Sequence, residues 1–263
     1  MKQELLLETY LRDLRLSRFV VSYQSLAQEA ARGNLSYERY LLALVQEEVA
    51  HRQAGRIERA IAEARFPVLK DLADFDWSCV PSVPKARILD LSAGGYIESH
   101  EPVILVGNPG LGKSHVACGL ALSACRQGRR VRFYNVAGLV NDLIKAQQEY
   151  QLSRLMARLC KYELVVLDEL GFIPFTALGA QLLFQLCSAL YERVALIITT
   201  NLRFAEWGSV MGGDERMSAA LLDRLTHRAT ILEFVGTSYR FRQQLHRQDA
   251  KEGEEYREEG ANG

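Results

Sequence analysis

From the start of the chain to about residue 66, apolar residues recur at three- and four-residue spacing, which predicts helix throughout. A first amphipathic segment runs from about Leu5 to Leu14, Gly33-Asn34 marks a break, and a long helix follows. Ser36 is placed to cap that helix; Tyr40, Leu41, Leu44, Val45 and Val49 form its apolar face, and Pro67 stands beyond its end. Residues 67–102 lose the periodicity. They hold Pro67, Pro81, Pro84 and the pair Gly94-Gly95, the composition of a connector that ends in a short helix. A small, all-helical N-terminal domain is expected over residues 1–66.

After Pro102 the pattern changes to short β-branched runs. The predicted strands are Val103–Val106, Val131–Tyr134, Leu164–Leu167, Ala195–Thr199 and Thr230–Phe234, with helices near 114–126, 137–148, 152–161, 177–192 and 216–226. Strands alternating with helices make a parallel sheet with crossover connections, and strands apolar at nearly every position need cover on both faces. The expected fold class is α/β, a five-stranded parallel sheet with flanking helices over residues 67–246. Residues 247–263 read as a disordered acidic tail.

Composition narrows the class. With 48% hydrophobic and 24% charged residues the chain is neither depleted enough to be disordered nor apolar enough for a membrane bundle. No run of eighteen apolar residues occurs, and the opening MKQELLLETYLRDLRLS interleaves charges, so no membrane association and a cytoplasmic location are expected. Cys79, Cys118, Cys125, Cys160 and Cys187 lie far apart in apolar segments and read as reduced core residues. The zero net charge conceals an asymmetry: residues 248–263 carry six acids against two bases, and removing them from 32 basic and 32 acidic residues leaves 30 against 26. A body at +4 permits nucleic-acid binding without diagnosing it.

Three strand ends carry the candidate chemistry. Gly107-Asn108-Pro109-Gly110-Leu111-Gly112-Lys113-Ser114 fits GxxxxGK[ST], follows the strand VILV and opens a helix into His115. Glycines there let backbone N–H groups turn inward around phosphate oxygens, at the positive end of the following helix. Lys113 is placed to bridge the β- and γ-phosphates of a nucleoside triphosphate, and the Ser114 hydroxyl to bind Mg2+. A second strand ends in Asp168-Glu169; Asp168 would hold the metal, and Glu169 would polarise the attacking water. A third ends at Asn201, whose carboxamide is a candidate sensor of the γ-phosphate or its water.

The remaining polar features leave alternatives open. Arg224 and Arg228 stand one turn apart before the last strand. Arg224 is the candidate finger for a γ-phosphate bound to a neighbouring subunit, with Arg228 second, against a surface ion pair to Asp223 or Glu233. Basic residues gather at Arg126, Arg129, Arg130 and Arg132, and again at Lys145, Arg154, Arg158 and Lys161; each group is either a solvated face or a contact to nucleic-acid phosphates, with Lys145, Arg154 and Arg158 the candidate DNA ligands. Arg52, Arg56 and Arg59 read as partners of Glu48 and Glu63 along one helix. Trp77 and Trp207 read as packing residues, and no histidine has ligand spacing.

The stretches GNPGLGKSHVACGLA, ELVVLDELGFIP, LCSALYERVALIITTN, FAEW, LLDRLTHRA and GTSYR, spread over residues 70–243, resemble one family: the IstB-like transposition helper ATPases of bacterial insertion sequences, relatives of the DnaC and DnaI helicase loaders. The resemblance implies an AAA+ P-loop NTPase fold, with ATP and Mg2+ as cofactors. Lys113 and Ser114 then match the Walker A positions, Asp168 and Glu169 the Walker B pair, Asn201 the sensor and Arg224 the finger. It further implies a homo-oligomer, ring-like or helical, that assembles on duplex DNA, deforms the target and recruits or stimulates a cognate transposase, with the N-terminal domain serving partner, DNA or subunit contacts. Only 29 residues follow the last strand, too few for a helical lid domain, so a second sensor arginine is missing or supplied by Arg240. A DnaC/DnaI-like helicase loader is the alternative, and a metabolic kinase is disfavoured by the finger arginine.

Overall fold

The structure is a computed structural model and describes residues 2–210, 212–236 and 238–239; Arg240 and the acidic tail lie outside the described residues. The chain forms two compact units that divide between Arg59 and Ala60. Helices α1 (Lys2–Asp13), α2 (Ser17–Arg32) and most of α3 (Tyr37–Ala64) make the first.

A break between α1 and α2 is absent from the sequence expectation. It is a Schellman turn: the Leu16 N–H reaches the Leu11 carbonyl at 2.8 Å and the Arg15 N–H reaches Arg12 at 2.9 Å, with Arg15 left-handed at φ +57°. Glycine usually signals such a turn, and arginine does not. At the second break the left-handed residue is Asn34 (φ +48°). Arg52 pairs with Glu48 at 2.7 Å as expected, whereas the Arg59 guanidinium instead donates to the Gly55 carbonyl at 2.9 Å.

The second unit is built on strands β1 (Val103–Gly107), β2 (Val131–Asn135), β3 (Leu164–Leu170), β4 (Ala195–Thr200) and β5 (Thr230–Phe234), all parallel, in the order β2-β3-β4-β1-β5. Alternate side chains serve opposite faces. Val103, Leu105, Phe133, Val166 and Ile197 pack with α6 (Lys113–Arg126) and the short helices α4 (Lys85–Ser92) and α5 (Gly95–Glu98). Ile104, Val165, Leu167 and Ile198 pack with α7 (Val136–Gln148), α8 (Leu152–Leu159), α9 (Ala177–Leu190) and α11 (Glu215–Thr226). Trp207, at the start of α10 (Trp207–Val210), is fully buried there. Among the described residues no helix is long and apolar enough to cross a membrane.

β1 lies at the point where the strand order reverses, so loops leaving β1 and β4 open at the crevice where parallel sheets bind ligands. Gly107 ends β1 opposite Phe234 at φ +148°, and a Cβ there would run into the Phe234 carbonyl. Gly107→Ala is expected to lower unfolding free energy by about 1–3 kcal/mol, the usual scale of enforced backbone strain, measured by urea denaturation.

Candidate nucleotide-binding site

The loop from Gly107 to Gly112 turns over the C-terminal end of β1. Gly110 and Gly112 are left-handed at φ +83° and +84°, and Leu111 between them is buried in the core, which pins the loop to the sheet. Lys113 opens α6 with its side chain folded back: Nζ donates to the carbonyls of Gly107 at 2.6 Å and Asn108 at 2.8 Å. Ser114 Oγ donates to Asp168 Oδ1 at 2.7 Å. Thr199 Oγ1 donates to that same carboxylate oxygen at 2.6 Å and accepts the Glu169 N–H at 2.9 Å. Glu169 sits in the left-handed region at φ +61°, and its Oε2 accepts from Asn135 Nδ2 at 2.8 Å.

These groups border a cavity of about 580 Å³. Pro109 to His115 line it on one side, Glu169, Phe172, Thr199, Thr200 and Asn201 on another. Asp168 is buried behind them. Gly107 and Asn108 reach the site through the carbonyls that hold Lys113.

A third wall comes from the connector. Leu69, Lys70, Asp74, Phe75, Asp76 and Cys79 face the cavity, as does Tyr239 after β5. This strap is stitched to α6: His115 Nε2 lies 2.7 Å from the Asp71 carbonyl, Arg126 pairs with Asp71 at 2.6 Å, and Cys118 Sγ donates to Val68 O at 3.2 Å. The Arg126 guanidinium, with the Ala73 N–H, holds the Asp71 carboxyl below its usual range. On the other flank the Tyr239 N–H donates to the Gly110 carbonyl at 3.1 Å.

The residues fit a nucleoside triphosphate with Mg2+. Gly110 and Gly112 are left-handed and lack a Cβ where Ser238 and Phe75 pack against them, so the loop is closed on its outer side and Lys113 and Ser114 follow it into the cavity. The Ser114 hydroxyl and Asp168 carboxylate are hard oxygen donors of the kind Mg2+ takes alongside phosphate oxygens.

The candidate fingers lie elsewhere. Arg224 hydrogen-bonds Ser188 Oγ and stacks over Phe184 at 4.9 Å, both on α9; it pairs with neither Asp223 nor Glu233. Arg228 pairs with Glu101 at 3.5 Å. Of the basic groups, the first is internally committed: Arg126 to Asp71, Arg129 to Glu98 and Glu163, and Arg132 buried with a bond to the Glu63 carbonyl. In the second, Lys145 comes within 3.9 Å of Glu149, while Arg154 and Arg158 are exposed and have no ion pair among the described residues.

Phosphate loop, paired carboxylates and sheet order together define a P-loop nucleotide-binding protein of the AAA+ kind. More particularly, the chain belongs to the family of IstB-like ATP binding proteins, whose model matches residues 9–247. A Pseudomonas aeruginosa protein named as an ATP-binding protein of insertion sequence IS21 is 35% identical over 237 residues, covering 90% of this chain and 89% of that one. An insertion sequence ATP-binding protein of Sinorhizobium fredii is 39% identical over 233 residues, covering 88% and 78%. The solved structure of DnaI shares the fold at a TM-score of 0.54 and 15% identity, over 63% of this chain and 91% of that one.

Asn135, Thr199 and the strap were not anticipated from sequence. Asn135 carried a usable signal, a polar residue closing an apolar strand, the same logic that singled out Asn201. Gly112→Ala, which forces a Cβ toward Phe75 at a left-handed position, is expected to lower the thermal midpoint by several degrees, since about 1 kcal/mol shifts a domain of this size by roughly 2–4 °C.

Proposed function

We infer that the chain binds ATP with Mg2+, hydrolyses it, and uses the cycle to assemble on duplex DNA, deform the target and recruit or stimulate a transposase encoded with it. The observation that carries the hydrolytic part is the convergence on one cavity of the phosphate loop, Asp168 and Glu169, with Ser114 Oγ 2.7 Å from Asp168. Lys113, freed from its carbonyl contacts, reaches the β- and γ-phosphates. Bound Mg2+ would neutralise phosphate charge, held by Ser114 and Asp168. Glu169 takes the proton of the water that attacks the γ-phosphorus as the bond to the β-phosphate oxygen breaks, and Asn201 orients that water.

Arg224 is outside its own cavity, which supports a role toward the nucleotide of the next subunit in a homo-oligomer. The transposition role draws on the relatives, which are named as insertion-sequence proteins. Arg154 and Arg158 on α8, exposed and without an ion pair among the described residues, support contact with DNA phosphates. The N-terminal unit is assigned to partner, DNA and subunit contacts.

Lys113→Ala is expected to lose ATP binding, measured by equilibrium titration. Arg224→Ala is expected to bind ATP normally and lose hydrolysis on the order of 10³-fold, with turnover returning when it is mixed with Lys113→Ala, whose arginine is intact. No recovery on mixing counts against a shared site. Replacing both Arg154 and Arg158 by Ala is expected to weaken duplex binding and lower the slope of log K against log salt by about 2, close to one per lost phosphate contact. A preference for single strands together with a stable complex with a replicative helicase would instead favour a helicase loader.

A further inference from the structure

β3 and β4 pair in register from Leu164 with Ala195 to Leu167 with Ile198, and the pairing resumes at Leu170 with Thr200. Two residues of β3, Asp168 and Glu169, therefore stand opposite one residue of β4, Thr199. Such a bulge breaks the backbone ladder and re-aims side chains. Here a side chain replaces the missing rung. The Thr199 hydroxyl accepts the Glu169 N–H at 2.9 Å and spends its single proton on Asp168 Oδ1 at 2.6 Å. Thr199 is 1% exposed, so water does not compete for either bond.

The neighbouring groups make this contact consequential. Asp168 Oδ1 also accepts from Ser114 Oγ, so one oxygen ties β3 to β4 and to the start of α6. Glu169 holds φ +61° inside a strand, a conformation that persists in a non-glycine residue only where its surroundings over-determine it. Its anchored N–H and its Asn135 contact supply that restraint.

We propose that Thr199 is a positioning residue for ATP hydrolysis: its hydroxyl stabilises the bulge that turns Asp168 toward Ser114 and Glu169 toward the cavity, and sets the two carboxylates relative to each other. The inference rests on the hydrolytic reading above. It predicts that losing the hydroxyl disturbs the metal side and the water side together, without disturbing the grip of the loop on the nucleotide.

The test compares Thr199→Val, which keeps the shape and removes the hydroxyl, with Thr199→Ser, which keeps the hydroxyl. Turnover of the full chain is measured against ATP and against Mg2+, and binding of a fluorescent ATP analogue is titrated with and without Mg2+. For Thr199→Val, kcat is expected to fall and the Mg2+ midpoint to rise, each by roughly 10- to 100-fold, the usual scale for losing a group that orients a metal ligand. Analogue affinity without Mg2+ and the KM for ATP should stay within about threefold, and Thr199→Ser should stay within about threefold of the parent throughout.

Unchanged kcat and Mg2+ midpoint in Thr199→Val would overturn the proposal. So would a serine variant as impaired as the valine one, because packing of the methyl group would then be responsible. If Thr199→Val shows no cooperative melt, Thr199→Ala takes its place against the serine variant. A parent protein that binds the analogue but does not turn over ATP sinks the hydrolytic reading alone; the Mg2+ dependence of analogue binding then still decides whether Thr199 positions Asp168.

Discussion

The hydrogen bond between Ser114 and Asp168 joins the helix that follows β1 to β3, and those two strands are not neighbours. β4 lies between β1 and β3, which places their axes roughly 9–10 Å apart at ordinary strand spacing. A loop leaving β1 and a carboxylate in β3 can serve one ligand only if something spans that gap. The first turn of α6 does so by carrying Ser114 across the end of β4, where it meets Asp168 at 2.7 Å. Everything else about the cavity follows from that bridge: the left-handed glycines let the loop turn early enough, and buried Leu111 keeps it down. The bulge in β3 sets both carboxylate residues opposite Thr199.

Legibility in the sequence followed the range of the interactions. Strands buried on both faces announce themselves as apolar runs, as β1, β3 and β4 do, whereas β5 buries only Leu232 and Phe234, leaves Ile231 and Glu233 exposed, and was found from its β-branched start. The phosphate loop was legible because its glycines answer to local backbone geometry and its lysine and serine to local spacing. The turn at Arg15 was not legible, because its left-handed residue is held by hydrogen bonds to Leu11 and Arg12 that any side chain tolerates at a cost.

Tertiary pairing was hidden for a different reason. Arg126 and Asp71 are 55 residues apart, and nothing in either segment marks the other as its partner. The arginines from 126 to 132 looked like a surface patch and are instead largely spent on Asp71, Glu98, Glu163 and the Glu63 carbonyl. Thr199 was passed over as part of a strand, since its role depends on a slip in register that strand patterning does not encode. The connector was recognised as irregular, but irregular backbone does not disclose that it walls a cavity.

The two described segments that flank the sheet in sequence both cross the lip of that cavity. The strap comes in over α6 with Phe75 against Gly112, and the residues after β5 go out over the loop with Ser238 and Tyr239 against Gly110. A pull on either segment would therefore bear on Gly110 or Gly112 and also on β5, because the Ser82 hydroxyl of the connector donates to the Glu233 carbonyl at 2.9 Å.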